Sequence, residues 1–180
     1  MINEILKYNN LYVKNKEYEK YSTSKFPDKK IAIVTCMDTR LTELLPSALG
    51  IRNGDAKIIK NAGGIITNPF GSAMRGLLIG IYEFEIDTIL VIGHTDCGAR
   101  ITQGKRIIEK MKRNGIPQKK FEELKKQSID LESWLEGFVE QERSIQRSVE
   151  LVKNHPLVPE QVMVYGFLMD TLTGELKKIT

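Results

Sequence analysis

The sequence predicts an α/β fold with a mainly parallel central β-sheet flanked by helices. Two observations carry that expectation. Short β-branched apolar runs, Ile31-Ala32-Ile33-Val34 and Thr88-Ile89-Leu90-Val91-Ile92, suit strands buried on both faces. Between and after them lie longer stretches with apolar residues at helical intervals. Strands alternating with helices fold into parallel sheets joined by crossovers.

In chain order, residues 3–21 place Ile5, Leu6, Tyr8, Tyr12 and Val13 at helical spacing and predict an N-terminal helix, polar on much of its surface. Pro27 and Asp28 break the chain before the first strand, 31–34. A second strand is predicted over 56–60, followed by a glycine-rich turn, Asn61-Ala62-Gly63-Gly64. Residues 71–84 read as a helix with Ala73, Leu77, Leu78 and Ile81 on one face, and 88–92 as the third strand. The segment 99–126 is helical in pattern and interrupted at Asn114-Gly115-Ile116-Pro117. A long helix is predicted over about 131–153, carrying Trp134, Phe138, Ile145, Val149 and Val152 and ended by Asn154-His155-Pro156. A fourth strand, 161–168, turns at Thr173-Gly174 into a short last strand, 175–179.

At 180 residues, with no repeat or dividing linker, the chain is expected to form one domain over 1–180. No window approaches the roughly 20 apolar residues of a membrane span, and Met1 to Asn10 has no secretory-signal pattern. A cytoplasmic protein with no membrane partner is therefore expected. The net charge of +4 comes largely from 99–126, where ten Lys or Arg stand against three Glu. That stretch lacks interleaved aromatics, so it predicts a solvated helical face rather than a nucleic-acid surface.

The chemistry gathers at two strand ends, where parallel sheets place their sites. The first strand runs into Cys36-Met37-Asp38-Thr39-Arg40 and the third into His94-Thr95-Asp96-Cys97-Gly98. Strands paired in a sheet lie about 4.8 Å apart, so neighbouring strands would bring Cys36 to His94 and Cys97. Two thiolates and an imidazole suit Zn²⁺, and a site with three protein ligands leaves a position for water. A redox thiol pair would not account for His94. Cys36 and Arg40 are too close in sequence for a phosphatase loop. A phosphate-binding P-loop fails because five residues separate Gly98 from Gly104 and Arg106 follows Lys105.

The pair Cys-x-Asp-x-Arg and His-x-x-Cys-Gly, in this order, resembles the signature of β-class carbonic anhydrases. The resemblance extends to the turn Asn61-Ala62-Gly63-Gly64 and to Gly166-Phe167, Asp170 and Thr173-Gly174 near the end, which are similar to the short prokaryotic branch. Thr39 stands where Ser is more usual, and Gly64 where many members have a larger polar residue. The resemblance implies zinc on Cys36, His94 and Cys97, and an Asp38–Arg40 dyad beside it. It implies reversible hydration of CO2 to bicarbonate by zinc-bound hydroxide, with Asp38 as hydrogen-bond acceptor and Arg40 holding its carboxylate. A closed state in which Asp38 is the fourth ligand is also implied. Asn61, Gly63 and Gly64 are candidate substrate-pocket residues, equally readable as a plain tight turn. Asp96 is expected to hydrogen-bond near its turn, and His155 to take no part as a proton shuttle. The resemblance further implies a homodimer or dimer of dimers, the N-terminal helix packing on the partner. Carbon disulfide or carbonyl sulfide hydrolysis on the same fold, and a non-enzymatic zinc-stabilised sensing or binding protein, are the alternative functions.

Overall fold

A computed structural model describes residues 1–180. Its centre is a five-stranded sheet in the order β2-β1-β3-β4-β5. The strands are β1 (Ile31–Cys36), β2 (Ala56–Asn61), β3 (Thr88–His94), β4 (Met163–Met169) and β5 (Leu176–Lys178). The first four run parallel, and only β5 is antiparallel, against β4. The expected fold class holds. The strand β1 extends two residues and β3 two residues beyond their apolar runs, so both reach the cysteine and histidine that follow.

Each face of the sheet has its own core, as alternating side chains require. Ala32, Val34, Ile89 and Val91 face α3 (Ser72–Phe84) and α7 (Gln141–Lys153), meeting Met74, Leu77 and Ile81 of the one and Ile145, Val149 and Val152 of the other. On the opposite face Ile33 and Ile92 pack with Leu41 and Leu45 of α2 (Leu41–Ala48), and with Cys36, Cys97 and Met169. The site therefore sits over the second core.

Three elements differ from the sequence expectation. The N-terminal helix α1 stops at Lys14 (Ile2–Lys14). No residue of it is buried in this chain, so nothing rewards extending it; Lys16 then enters the left-handed region at φ 56°. The helix α2 was not anticipated. The long helix over 131–153 is divided into α6 (Leu131–Leu135) and α7. The break has a tertiary cause: the Gly137 amide donates to the Thr102 carbonyl, and the Glu136 carboxylate accepts from the Gly104 amide at 2.7 Å. Trp134, expected on an apolar face, is 75% exposed. The basic segment forms α4 (Gly104–Arg113) and α5 (Gln118–Lys126), interrupted where expected. No helix is long and apolar enough to cross a membrane.

Candidate metal centre and its acid–arginine pair

Strands β1 and β3 are direct neighbours, with Thr35 opposite Ile92, so their carboxyl ends emerge side by side. The three candidate ligands come together there. Cys36, His94 and Cys97 are all buried, and their ligand atoms lie within 4.8 Å of one another. The two sulfurs are 3.8 Å apart. Two Zn–S bonds of about 2.3 Å at a tetrahedral angle would span about 3.8 Å.

His94 is held in the form a metal requires. Its Nδ1 lies 2.8 Å from the Thr95 carbonyl. A carbonyl only accepts, so Nδ1 carries the proton and Nε2 keeps a bare lone pair. That Nε2 is buried and has no hydrogen-bond partner, a costly arrangement unless something else meets the lone pair. Ligating histidines commonly donate their second nitrogen to a carbonyl in this way. Burial also depresses the His94 pKa, against the opposing effect of the Thr95 contact, and so favours the neutral imidazole. Burial pushes the Cys97 thiol up to about 11, with Cys36 beside it adding to the effect. Such a thiol ionises at neutral pH when a cation takes its proton's place. The donor set thus fits zinc: two sulfurs at the right separation and an orphaned imidazole nitrogen.

Asp38 stands at the edge of this group, its Oδ2 3.9 Å from His94 Nε2. Arg40 grips it with three hydrogen bonds: Nε to Oδ1 at 3.0 Å, Nη2 to Oδ2 at 2.9 Å, and its own backbone amide to Oδ1 at 2.9 Å. The Arg40 guanidinium is the main cause that lowers the Asp38 pKa to about 2. Asp38 is therefore an ionised carboxylate that can only accept hydrogen bonds.

The glycine turn packs directly on the site. Asn61 spends its carboxamide on the turn itself, donating to the Ile65 carbonyl at 2.7 Å and accepting from the Ile65 amide at 3.1 Å. Gly63 joins Cys36, Met37, Asp38, Ala62 and Ala99 around a cleft of about 340 Å³. Gly64 has φ 64°, and a Cβ there would lie 2.7 Å from the Cys36 amide nitrogen and 2.8 Å from the Thr35 carbonyl carbon. A larger side chain has no room at this position, because the turn backbone rests on the end of β1. Gly64→Ala is accordingly expected to cost roughly 2–4 kcal/mol, from the left-handed backbone and the backbone clash together. Thermal unfolding should show a fall of several degrees; unfolding at the wild-type temperature would contradict the contact.

His155 is buried away from this chemistry. Its Nε2 donates to the Pro69 carbonyl at 2.9 Å and its Nδ1 accepts from the Leu157 amide at 3.2 Å, so both nitrogens are engaged. Sequence reasoning did not find the full role of Asp96: its carboxylate and its carbonyl both accept from Arg40. Its place between two candidate ligands was the only available signal.

The sequence model of the family described as "Carbonic anhydrase" matches residues 31–176, which include both strand ends and the turn between them. The chain belongs to the β-carbonic anhydrase family. Among curated relatives, "Putative carbonic anhydrase YtiB" of Bacillus subtilis (strain 168) is 49% identical over 179 residues, covering 99% of this chain and 96% of that one. A "Carbon disulfide hydrolase" of Acidithiobacillus thiooxidans is 31% identical over 158 residues, covering 83% of this chain and 77% of that one. Among solved structures, the β-carbonic anhydrase isoform I of Trichomonas vaginalis superposes with a TM-score of 0.87 at 32% identity, covering 98% of this chain and 96% of that one. The homologues and structural neighbours of this β-carbonic anhydrase family member are thus carbonic anhydrases, with carbon disulfide hydrolases among them at lower identity.

Proposed function

We propose that the chain, acting as one domain over 1–180, catalyses the reversible hydration of CO2 to bicarbonate and a proton with zinc held by Cys36, His94 and Cys97. The observation that carries this reading is the buried Nε2 of His94, without a partner and within reach of two cysteine sulfurs and the Asp38 carboxylate. Zinc, when bound, supplies a Lewis acid that brings the pKa of a water toward neutrality.

The protein's own groups do the remaining work. Asp38 accepts a hydrogen bond from the attacking oxygen and turns its lone pair toward the carbon of CO2. A carboxylate with a pKa near 2 accepts that bond throughout the neutral range and does not take the proton away. Arg40 fixes the carboxylate from the far side, and three hydrogen bonds to Asp38 support an arrangement in which it is held off the metal. If Arg40 released it, Asp38, whose Oδ2 is 3.9 Å from His94 Nε2, would be free to turn toward the candidate ligands and act as a fourth one. The cleft walls of Ala62, Gly63 and Ala99 are small and largely apolar, in keeping with an uncharged triatomic substrate. With both nitrogens of His155 engaged, the proton leaves by water or buffer rather than through that side chain.

Relatives named carbon disulfide hydrolase favour a second reading on the same residues, hydrolysis of carbon disulfide, with carbonyl sulfide the related substrate of that alternative. The higher identity to the protein bearing a carbonic anhydrase name favours CO2. Parallel assays of one zinc-loaded sample separate the two, and a third outcome, activity on neither, would indicate the non-enzymatic sensing or binding role. Rapid CO2 hydration with little CS2 turnover is expected; the reverse preference would overturn the substrate assignment.

The reading includes a homodimer or dimer of dimers in the cytoplasm, where thiols stay reduced. Ile5, Leu6, Tyr8, Leu11 and Val13 of α1 are all at least half exposed in the single chain. Exposed apolar side chains of this kind on an otherwise polar helix need a surface to cover, and a second copy supplies one. Deleting residues 1–21 is expected to shift sedimentation toward the monomer; an oligomer of unchanged size and stability after the deletion would contradict the interface.

A further inference from the structure

Arg40 is held from two sides. Besides its three bonds to Asp38, its Nη1 donates to Asp96 Oδ2 at 3.0 Å and its Nη2 to the Asp96 carbonyl at 2.8 Å. Four of the five guanidinium N–H donors are thereby used. Asp96 lies on the loop after β3, between His94 and Cys97, whereas Asp38 and Arg40 lie on the loop after β1. The contact therefore ties together the two loops that carry the candidate ligands. Asp96 also has φ 51°, a conformation that Asp and Asn tolerate better than other side chains. In that conformation both its carbonyl and its carboxylate meet the same guanidinium.

Resting on the function proposed above, we propose that Asp96 is a positioning residue for the reaction. It fixes the guanidinium of Arg40 in the orientation that presents Nε and Nη2 to Asp38. An arginine side chain on its own has several rotatable bonds and could follow Asp38 as the carboxylate moves. Anchored at Asp96, Arg40 stays in place, and Asp38 must break both side-chain bonds to leave it. Asp96 thereby holds Asp38 in the arrangement that accepts a hydrogen bond from the attacking oxygen. The Asp96 carboxylate is 85% exposed, so its pull on Arg40 is screened and the effect is moderate.

Two substitutions isolate the role. Asp96→Gly removes the carboxylate and suits the positive φ, so the loop is not strained. Asp96→Asn keeps an acceptor and tolerates the same backbone. Asp96→Gly is expected to lower kcat for CO2 hydration roughly fivefold, with zinc content and Tm close to wild type. Asp96→Asn is expected to stay within about twofold of wild type, an acceptor being retained. The independent readout is the solvent exchange of the Arg40 Nε–H, followed by ¹⁵N NMR. It should quicken in Asp96→Gly and be largely restored in Asp96→Asn. Wild-type kcat and wild-type exchange in Asp96→Gly would overturn the proposal. So would a fall in activity accompanied by zinc loss and unchanged Arg40 exchange, since Asp96 would then act on the ligand loop itself. Arg40→Ala is the control: if it hydrates CO2 at the wild-type rate, the Asp38–Arg40 reading fails and this inference with it. If Arg40→Ala is impaired while Asp96→Gly is not, this inference alone fails.

Discussion

Cys97→Ser is expected to empty the metal site and remove the hydration activity with it. Cys97 is buried with its sulfur 3.8 Å from that of Cys36. A serine hydroxyl is a poor replacement for a thiolate, and the site has only Cys36 and His94 besides. Loss of an outer hydrogen-bond partner of a ligand commonly lowers metal affinity by about 10–100-fold; losing a ligand should exceed about 100-fold. Metal analysis after gel filtration should find little zinc, and CO2 hydration should approach the uncatalysed rate. The fold should survive better than the site, because the larger core between α3, α7 and the sheet does not include Cys97. His94→Ala is expected to behave alike. Full zinc content in both variants would sink the ligand assignment.

Asp38→Asn is expected to separate metal binding from catalysis. Its amide keeps the shape of the carboxylate and loses the charge that Arg40 grips through three hydrogen bonds. Zinc should remain near the wild-type level, since Asp38 is not among the three grouped ligands. Activity should fall by about 10²-fold or more, in the range seen when one oriented polar partner of a reacting oxygen is removed. The sign of any pH effect follows from the lowered pKa of Asp38. Pairing with Arg40 favours the ionised form, so its contribution to stability is present above the ordinary carboxylate range and is lost as pH falls toward 2. Asp38 does not titrate near neutrality, and the loss in Asp38→Asn should be similar at mildly acidic and mildly basic pH. Wild-type hydration by Asp38→Asn would show that the carboxylate has no such role.

What could be read from the sequence was what depends on local pattern. Two apolar β-branched runs, each followed at once by metal-type residues, gave the adjacency of Cys36 with His94 and Cys97, because parallel strands in one sheet end at one edge. The helix α2 was hidden by its brevity and by Pro46 inside it; only Leu41 and Leu45 mark its buried side. The division of α6 from α7 was hidden because its cause is tertiary. Glu136 and Gly137 bond to a segment more than 30 residues away, while the apolar spacing runs on across the break. The Asp96–Arg40 contact was hidden for the same reason, since 56 residues separate the partners. Gly64 suggested an altered pocket from its residue type. Its backbone contact with Cys36 could be seen only once the turn was placed against β1.

If zinc on Cys36, His94 and Cys97 gives this protein its CO2 hydration activity, a metal titration will show it. Chelator-stripped protein is given increasing zinc under reducing conditions while CO2 hydration is followed by stopped flow. Activity is predicted to be absent at the start, to rise in proportion to added zinc and to level off at one equivalent per chain. Hydration by the stripped protein, or no hydration once one equivalent has bound, would contradict the account.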